Sequence, residues 1–219
     1  MPRRPQHRGS KGSLKWMQDL VNSYPSVLNE SIGHGPIEWL SPLANDDYAE
    51  YWDDSFLTRL GLTLRTRPLR SFWPRSGPRW DALGRIRGGA VVLVEAKAHI
   101  VELESTCRAV PASKSRIQRA FDEVSRGWQI PDVSIWCESF YQYANRLAHV
   151  FLLNELNATP AFLVFLHIIG ATEVGGPLTR EAWDQAIATV HWRLGISNKL
   201  PPYVIDAFVD VSGAQPVAA

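Results

Sequence analysis

The residues from position 80 to position 97 read WDALGRIRGGAVVLVEAK, and this stretch decides the fold. Two short runs flank Gly88 and Gly89, a pattern typical of a β-hairpin. The second run is almost wholly apolar up to Glu95, as expected for a strand buried on both faces. Glu95 and Lys97 are two residues apart, so an extended strand directs both side chains to one side of the sheet. Because unpaired charges in a core are costly, this pair indicates either a buried ion pair or a functional site.

The length of the hairpin turn decides where Asp81 lies. With a two-residue turn, Asp81 faces Ala96 and points away from Glu95. With a three-residue turn over residues 87–89, Asp81 faces Glu95 and lies beside Lys97. In that register the opposite face of the hairpin is wholly apolar and carries Trp80, Ala82, Ile86, Val92, Val94 and Ala96. The hydrophobic pattern sets strand register, so the sequence favours the three-residue turn, which gathers the three charged residues.

Two carboxylates and a lysine at one place predict a particular chemistry. Carboxylates held together repel each other, and a hard divalent cation with oxygen ligands relieves that repulsion. Mg²⁺ binds through one or two carboxylates plus waters and phosphate oxygens. Such an ion, Mg²⁺ or Mn²⁺, lowers the pKa of a bound water, and a nearby lysine can orient that water or stabilise developing charge. Asp81, Glu95 and Lys97 therefore suit phosphodiester hydrolysis.

The same residues resemble a known signature. Asp81, followed by Glu95, Ala96 and Lys97 at the end of an apolar strand, resembles the D…(D/E)-x-K motif of the PD-(D/E)XK (restriction-endonuclease-like) superfamily. The phrases WPRSGPRWDALG and LVEAKAHIVELES are similar to a bacterial branch of it. The resemblance implies Asp81 and Glu95 as metal ligands, the Ala96 carbonyl as a third ligand, and Lys97 as catalytic base or electrostatic partner. Trp80 stands where the motif has proline, a position that varies in the superfamily.

Further acidic ligands are suggested by the same resemblance. Many members add a glutamate from the helix that precedes the sheet. A helix is predicted over residues 45–60, and Glu50 is the candidate on it, with Asp54 one turn later on the same face. Glu104, just after the strand, is another candidate acid. Each of these residues is equally explained as a solvated surface charge.

Candidate substrate-binding residues lie on a helix predicted over residues 138–156. Gln142, Asn145, Arg146 and His149 form a polar stripe at helical spacing, and the first three are the candidates to bind substrate. The alternative is an ordinary amphipathic helix with its polar face in solvent. The helix predicted after the hairpin carries basic residues that suit phosphate binding or solvation alone, namely Lys114, Arg116, Arg119 and Arg126.

The remaining elements predict the fold class. Helices are predicted over residues 14–28, 45–60, 115–128, 138–156 and 179–194, and strands over residues 62–70, 80–87, 90–98, 161–169 and 203–211. Interleaved helices and strands with one hairpin indicate an α/β fold, a central mixed sheet with a β-hairpin core flanked by helices, as in the restriction-endonuclease-like family. We expect one domain over residues 14–212, a flexible basic arm over residues 1–13 and a tail over residues 213–219.

The composition excludes several kinds of protein. The net charge of +1 gives no strong field for nucleic acid, so local patches must hold any phosphates. Cys107 and Cys137 lack the spacing of a zinc site or a disulfide framework. The longest apolar run, residues 161–170, is shorter than the roughly 20 residues of a membrane helix. We therefore expect a cytoplasmic protein with no membrane contact.

Three functions follow from these observations. The first is a Mg²⁺- or Mn²⁺-dependent nuclease that hydrolyses nucleic acid, with DNA as the expected substrate. The second is a catalytically silent member of the same fold that binds nucleic acid or protein. The third is a structural protein in which Glu95 and Lys97 form a buried ion pair. The chain is short for a nuclease with its own recognition domain, which leaves room for a homodimer or a partner protein.

Overall fold

A mixed sheet forms the centre of the fold in the computed structural model, which describes residues 3–213. The strands are β1 (Arg3–Arg4), β2 (Ile37–Ser41), β3 (Glu50–Tyr51), β4 (Ala82–Ile86), β5 (Val91–Lys97), β6 (Ala161–Ile169) and β7 (Val204–Asp210). The α-helices are α1 (Gly12–Asn22), α2 (Pro25–Ile32), α3 (Asp54–Arg59), α4 (Leu69–Phe72), α5 (Pro111–Trp128), α6 (Tyr141–Asn157) and α7 (Arg180–Arg193). Within residues 3–213, none of the helices has the length and hydrophobicity needed to cross a membrane.

The central sheet has five strands in the order β2-β4-β5-β6-β7, and β1 pairs separately with β3. The pairs β2/β4 and β4/β5 are antiparallel, whereas β5/β6 and β6/β7 are parallel. Parallel neighbours need long crossovers, which α5 and α6 provide between β5 and β6, and α7 provides between β6 and β7. The predicted α/β class, with a helix-flanked mixed sheet, is confirmed.

Helices cover both faces of the sheet and create two apolar cores. On one face α1 and α2 pack against the sheet, so that Met17 and Leu28 share a core with Val92. On the other face α3 to α7 pack against the sheet, and Phe121 shares a core with Leu93. Each fully buried side chain of this size contributes roughly 1.5–3 kcal/mol. The strand β5 is therefore buried on both sides, as its apolar sequence predicts.

The hairpin of β4 and β5 has the predicted three-residue turn. Leu83 pairs with Leu93, and the Ile86 N–H donates to the Ala90 carbonyl at 2.8 Å. Gly88 and Gly89 have φ angles of 115° and 105°, a conformation that glycine adopts without the penalty other residues face. Positions 81, 83, 93 and 95 therefore lie on the same side of the sheet. Hydrophobic patterning did set the register.

Trp80 does not lie on the face predicted for it. Its indole belongs to the same core as Leu83, on the α6 side of the sheet. The regular ladder ends at Ala82, and the Trp80 backbone turns away to form an isolated antiparallel bridge with Tyr51. The strict alternation of side chains stops where the ladder stops, so the assignment of Trp80 to the opposite face was wrong.

The segment before the hairpin differs most from prediction. The helix expected over residues 45–60 is absent: a short 3₁₀ turn is followed by β3 and then α3. Asp47, Tyr48 and Asp53 have φ angles of 50°, 48° and 54°, which interrupt a helix. The strand expected over residues 62–70 is also wrong, because α4 covers the end of that stretch. Strand β2 was not predicted.

Residues 3–13 of the amino-terminal segment lie against the domain, and the flexibility expected of residues 1–13 stays a prediction. Arg3 and Arg4 pair with Tyr51 and Glu50 as β1 and β3. The Arg3 guanidinium also binds Asp46 at 2.8 Å. Backbone pairing and ion pairs thus hold a stretch that its basic, glycine-containing composition predicted to be mobile. Of the expected tail, residues 214–219 lie outside the described residues.

Candidate functional site

Glu95 and Lys97 lie at the carboxyl end of β5, on the face covered by α6. Glu95 is 3% exposed and Lys97 is 9% exposed, so both charges are buried. The Lys97 Nζ lies 2.8 Å from Glu95 Oε1. A residue spacing of two on a strand places them side by side, as predicted. Buried charges need partners, so the residues that neutralise or hydrogen-bond Glu95 and Lys97 define the rest of the site.

Helix α6 supplies the other partners. Arg146 is 5% exposed, and its Nε donates to Glu95 Oε2 at 2.7 Å while its Nη2 donates to the Arg79 carbonyl at 2.8 Å. The Lys97 Nζ also donates to Gln142 Oε1 at 2.8 Å. Two of the three residues predicted to bind substrate, Gln142 and Arg146, thus contact the charged pair directly. The polar stripe of α6 faces the sheet at Arg146, not solvent.

Asp81 lies next to this pair, across the end of the hairpin. Its Oδ2 accepts a hydrogen bond from the Ala96 N–H at 2.8 Å, while its Oδ1 has no hydrogen-bond partner among residues 3–213. Burial, and then the negative charge of Glu95, raise the pKa of Asp81 to about 8. The structure therefore gathers Asp81, Glu95 and Lys97, and it holds two carboxyl groups at a distance where their charges repel.

The charges of Glu95 and Lys97 are stabilised by their neighbours. Burial alone would raise the pKa of Glu95, but Arg146 and Lys97 outweigh it and hold that pKa below its usual value. Burial alone would lower the pKa of Lys97, but Glu95 and Asp81 outweigh it and raise that pKa. Both residues therefore stay ionised at neutral pH. A lysine that remains cationic can bind a phosphate oxygen or stabilise charge that develops on one.

Glu50 is near the site but reaches it from a strand, not from the predicted helix. The bridge between Tyr51 and Trp80 is antiparallel, so Glu50 lies across the backbone from Asp81. Burial raises the pKa of Glu50, and the charge of Glu95 adds to this. Asp54 does not share its face: it is exposed and pairs with Arg70 at 2.8 Å. Of the acids proposed as additional ligands, Glu50 is the one beside the carboxylate pair.

The oxygen donors fit a hard divalent cation in part. Asp81 Oδ1 lacks a protein partner, and Glu50 adds a third carboxylate nearby. Both oxygens of Glu95 already bind cationic groups, so ligation by Glu95 requires exchange of the Lys97 or Arg146 contact. Within residues 3–213 no group of three or more Asp, Glu, His or Cys side chains already surrounds an ion position. Mg²⁺ needs only one or two carboxylates, because it keeps several waters.

A cavity of about 760 Å³ opens beside the charged network. Its walls are residues 73–79, residues 104–106 and 108–110, and the first turns of α5 and α6. Gln142 and Arg146 line the cavity and also bind Lys97 and Glu95, so the cavity leads to the site. Glu104 is exposed on the rim, apart from the carboxylate pair. A substrate in this cavity would contact Gln142 and Arg146, whereas Glu95 and Lys97 line a separate small cavity of about 10 Å³.

Asp53 was not predicted to have a role, yet it organises the cavity wall. Its carboxylate accepts the backbone N–H of Ser76 at 3.1 Å and of Gly77 at 2.9 Å. Arg70 Nη1 donates to the same carboxylate at 3.2 Å. These bonds fix the loop that contains Arg79, whose carbonyl holds Arg146. No local sequence pattern indicates this role, because the partners are 17 to 24 residues away.

A second polar cluster, also not predicted, lies on the neighbouring strands. His167 pairs with Lys97 across β5 and β6, and its Nε2 is 2.9 Å from Asp206 Oδ1. The Tyr143 hydroxyl is 2.7 Å from His191 Nε2, and that nitrogen is 3.5 Å from the other oxygen of the same aspartate, Asp206 Oδ2. The only signal in the sequence was a histidine inside an apolar run. The cluster gives Lys97 a polar environment on its β6 side.

His149, the fourth residue of the polar stripe, is buried away from the charged pair. Its ring packs against the rings of Phe56, Trp73 and Trp80 at centroid distances of 6.4, 4.8 and 6.1 Å. Its Nδ1 lies 2.9 Å from the Asn145 carbonyl, and its Nε2 has no hydrogen-bond partner among the described residues. Burial lowers the pKa of His149 to about 3. The imidazole is therefore neutral in the folded protein.

This burial predicts a pH-dependent stability. An unfolded histidine has a pKa of about 6.5, so acid protonates the unfolded chain first and stabilises it. Stability is thus lost as the pH falls below about 6.5, by up to about 1.4 kcal/mol per pH unit, until the folded pKa is reached. Between pH 7 and pH 5 the native chain should lose about 2 kcal/mol more unfolding free energy than His149→Phe. Urea unfolding at pH 7 and pH 5 measures this loss of unfolding free energy. Equal losses for the native chain and His149→Phe would show that His149 takes up a proton as readily in the folded protein as in the unfolded one.

Comparison with known proteins adds no relative. No protein-family model, curated protein or solved structure matches the chain. The residues that can support a functional proposal are therefore those of the site itself: Asp81, Glu95 and Lys97 with Gln142 and Arg146.

Proposed function

We propose that this protein is a divalent-metal-dependent nuclease of the PD-(D/E)XK type, which hydrolyses phosphodiester bonds in nucleic acid, DNA being the expected substrate. One observation carries the proposal. Asp81, Glu95 and Lys97 meet on one face of the sheet, and Gln142 and Arg146, which bind Lys97 and Glu95, line a large cavity. Structural ion pairs have no need of a neighbouring second carboxyl group whose pKa is raised by burial and then by the charge of the first. Perturbed acids in a cleft are typical of functional sites.

The residues divide the chemistry among themselves. Asp81 and Glu95, with Glu50 nearby, would hold Mg²⁺ or Mn²⁺, and the Ala96 carbonyl is the further ligand implied by the motif. The bound ion would lower the pKa of a water and polarise the scissile phosphate. Lys97, held by Glu95 and Gln142, would orient the water or stabilise the transition-state charge. Arg146 would keep Glu95 ionised and correctly placed.

The proposed nuclease also has an expected location and an expected kind of partner. A cytoplasmic location suits a nuclease of this composition. A homodimer or a partner protein would supply the recognition surface that a chain of 219 residues with a net charge of +1 has little room to build.

The test is cleavage of mixed DNA and RNA substrates with Mg²⁺ or Mn²⁺. Asp81→Asn should reduce cleavage by about 10²-fold or more, because it removes a metal-binding charge while its amide oxygen can still accept the Ala96 N–H. Calorimetric titration should show weaker Mn²⁺ binding by the same variant. Asp54→Asn, at an exposed acid outside the site, is the matched control and should behave like the native chain. Equal cleavage by native chain and Asp81→Asn would refute the proposal.

One observation favours a second candidate, a catalytically silent module of the same fold. Glu95 is fully engaged by Lys97 and Arg146, an arrangement that also suits a permanent ion network. Such a module would bind nucleic acid or protein without binding Mn²⁺ through Asp81. Titration of the native chain and Asp81→Asn with Mn²⁺ therefore separates the two candidates, since a silent module gives identical curves.

A further inference from the structure

Three exposed arginines share the cavity beside the site. Arg75, Arg79 and Arg108 all line it. None of them has a carboxylate within 4.0 Å in the part of the chain that the structure describes. Glu104 is the one acid among the lining residues. Arg79 lies over the Trp52 ring, 5.0 Å from its centroid, and its charge acts on Glu50. Guanidinium groups bind phosphate oxygens through paired hydrogen bonds, so arginines without a carboxylate within 4.0 Å around one cavity suit phosphate binding.

The positive surface continues along α5. A second depression, of about 530 Å³, is lined by Lys114 and Arg119. Ala109 lines both depressions, so they adjoin each other. Neither Lys114 nor Arg119 forms an ion pair within residues 3–213. The basic helix noted in the sequence therefore extends the cavity instead of pointing to an unrelated surface.

The two depressions meet at the amino-terminal end of α5. This helix of 18 residues starts with Pro111 after Val110, and no side chain caps it. Its first N–H groups and its dipole therefore favour an anion at this place. Val110 lines the first depression and Pro111 the second. A phosphate passing from one depression to the other would meet the helix terminus.

The cavity also carries groups suited to bases. Asn145 is 5% exposed and lines the cavity, and its Oδ1 has no hydrogen-bond partner in the described protein. A buried acceptor without a partner is costly, and a base amino group can satisfy it after a rotation of the Asn145 side chain brings this inaccessible oxygen to the cavity. Tyr141 is half-buried on the same wall. Aromatic rings beside a positive groove are the usual means of binding single strands, because every base has a face that stacks.

The geometry points to single-stranded nucleic acid as the substrate. Its phosphates would bind Arg75, Arg79 and Arg108, and one base would lie against Tyr141 and Asn145. The strand would then continue past Lys114 and Arg119. A volume of about 760 Å³ is that of a site for a ligand of a few nucleotides, and a double helix does not enter it. This inference rests on the proposed function and names its substrate class.

Binding without metal tests the inference separately from cleavage. Fluorescence anisotropy in EDTA compares a single strand of roughly 12 nucleotides, a length typical of single-strand sites, with the same strand in a duplex. DNA and RNA strands form separate arms. The single strand should bind at least about tenfold more tightly, which is the effect of stacking one base. A duplex that binds as tightly as the single strand, or more tightly, would overturn the inference.

A set of three substitutions locates the binding surface. Arg75→Gln, Arg79→Gln and Arg108→Gln combined should weaken single-strand binding at least about tenfold and reduce the slope of log Kd against log salt by about 2, since each lost phosphate contact removes about 0.7. The matched control combines Arg65→Gln, Arg87→Gln and Arg193→Gln, at exposed arginines outside both depressions. Equal slopes for the two triple variants would overturn the inference.

The two proposals fail in different ways. Single-strand binding that depends on the three cavity arginines, without any metal-dependent cleavage, would support this inference and refute the nuclease. Metal-dependent cleavage of duplex and single strand at equal rates, with Asp81→Asn inactive, would support the nuclease and overturn this inference.

Discussion

Lys97→Met should lower the rate of metal-dependent cleavage by about 10²–10³-fold, the usual effect of removing one preorganised electrostatic group. The Lys97 Nζ is held at 2.8 Å by both Glu95 Oε1 and Gln142 Oε1, so its position is fixed before substrate binds. Methionine keeps an apolar stem of similar length and removes the charge, while Arg146 still neutralises Glu95. Single-turnover kinetics at saturating Mg²⁺ measure the chemical step.

The same variant must keep its other properties for this interpretation to hold. Mn²⁺ affinity should not fall, because the carboxyl groups remain and Glu95 Oε1 loses its Lys97 contact. Single-strand affinity should change little, because the cavity arginines remain. Lys199→Met, at an exposed lysine, is the matched control and should cleave at the native rate. An unchanged rate for Lys97→Met would remove Lys97 from the mechanism and leave the carboxyl groups without their proposed partner.

Glu95→Ala should destabilise the folded protein by about 3–5 kcal/mol, because it leaves two buried cations without compensation. Lys97 and Arg146 are 9% and 5% exposed and both bind the Glu95 carboxylate. A typical domain is stable by only about 5–15 kcal/mol, so this single change removes a large fraction of the total. Urea unfolding at neutral pH measures the loss. A loss below about 1 kcal/mol would mean that the two cations find water or other partners.

An apolar replacement of the whole network shows why the charges are present. Glu95→Leu, Lys97→Met and Arg146→Met combined remove both buried cations together with the carboxylate that they share. Asp81 then stays protonated, because Lys97 and Arg146 no longer lower its pKa. Replacing a buried ion network in this way is often neutral or stabilising. If the triple variant is as stable as the native chain but inactive, the charges serve function. If it is as destabilised as Glu95→Ala, the network is required by the fold, which supports the structural hypothesis.

Local patterns were sufficient to predict the centre of the molecule. The apolar run of β5, the glycines at 88 and 89 and the alternation of the hairpin fixed its register, because a one-residue slip would have placed Asp81 on the apolar face opposite Glu95 and Lys97. Strand β6 (Ala161–Ile169) has the predicted bounds, since a continuous apolar run after Pro160 has few other solutions. The juxtaposition of Asp81, Glu95 and Lys97 followed from that register alone.

Contacts between distant residues explain what local patterns missed. Strand β2 (Ile37–Ser41) is short, lies between two prolines, and forms because β4 pairs with it. Tyr48 and Asp53 have positive φ although neither is glycine, and no local signal predicts this. Arg146 was predicted to bind substrate, but its contact with Glu95 became visible only when α6 was placed over β5. Register can be read from one hairpin, whereas the packing of a helix on a sheet depends on the whole chain.

The pairing of β1 with β3 has a practical consequence for anyone who prepares this protein. The prediction of a flexible arm over residues 1–13 would justify its removal for expression, yet Arg4 pairs with Glu50, and the Gln6 side chain binds the Glu50 carboxylate. A shortened version would remove the strand and the hydrogen bond that hold Glu50 beside Asp81. Inactivity of such a shortened protein would then say nothing about the proposed nuclease activity. Assays should use the chain with its own first residues, and an affinity tag should not displace them.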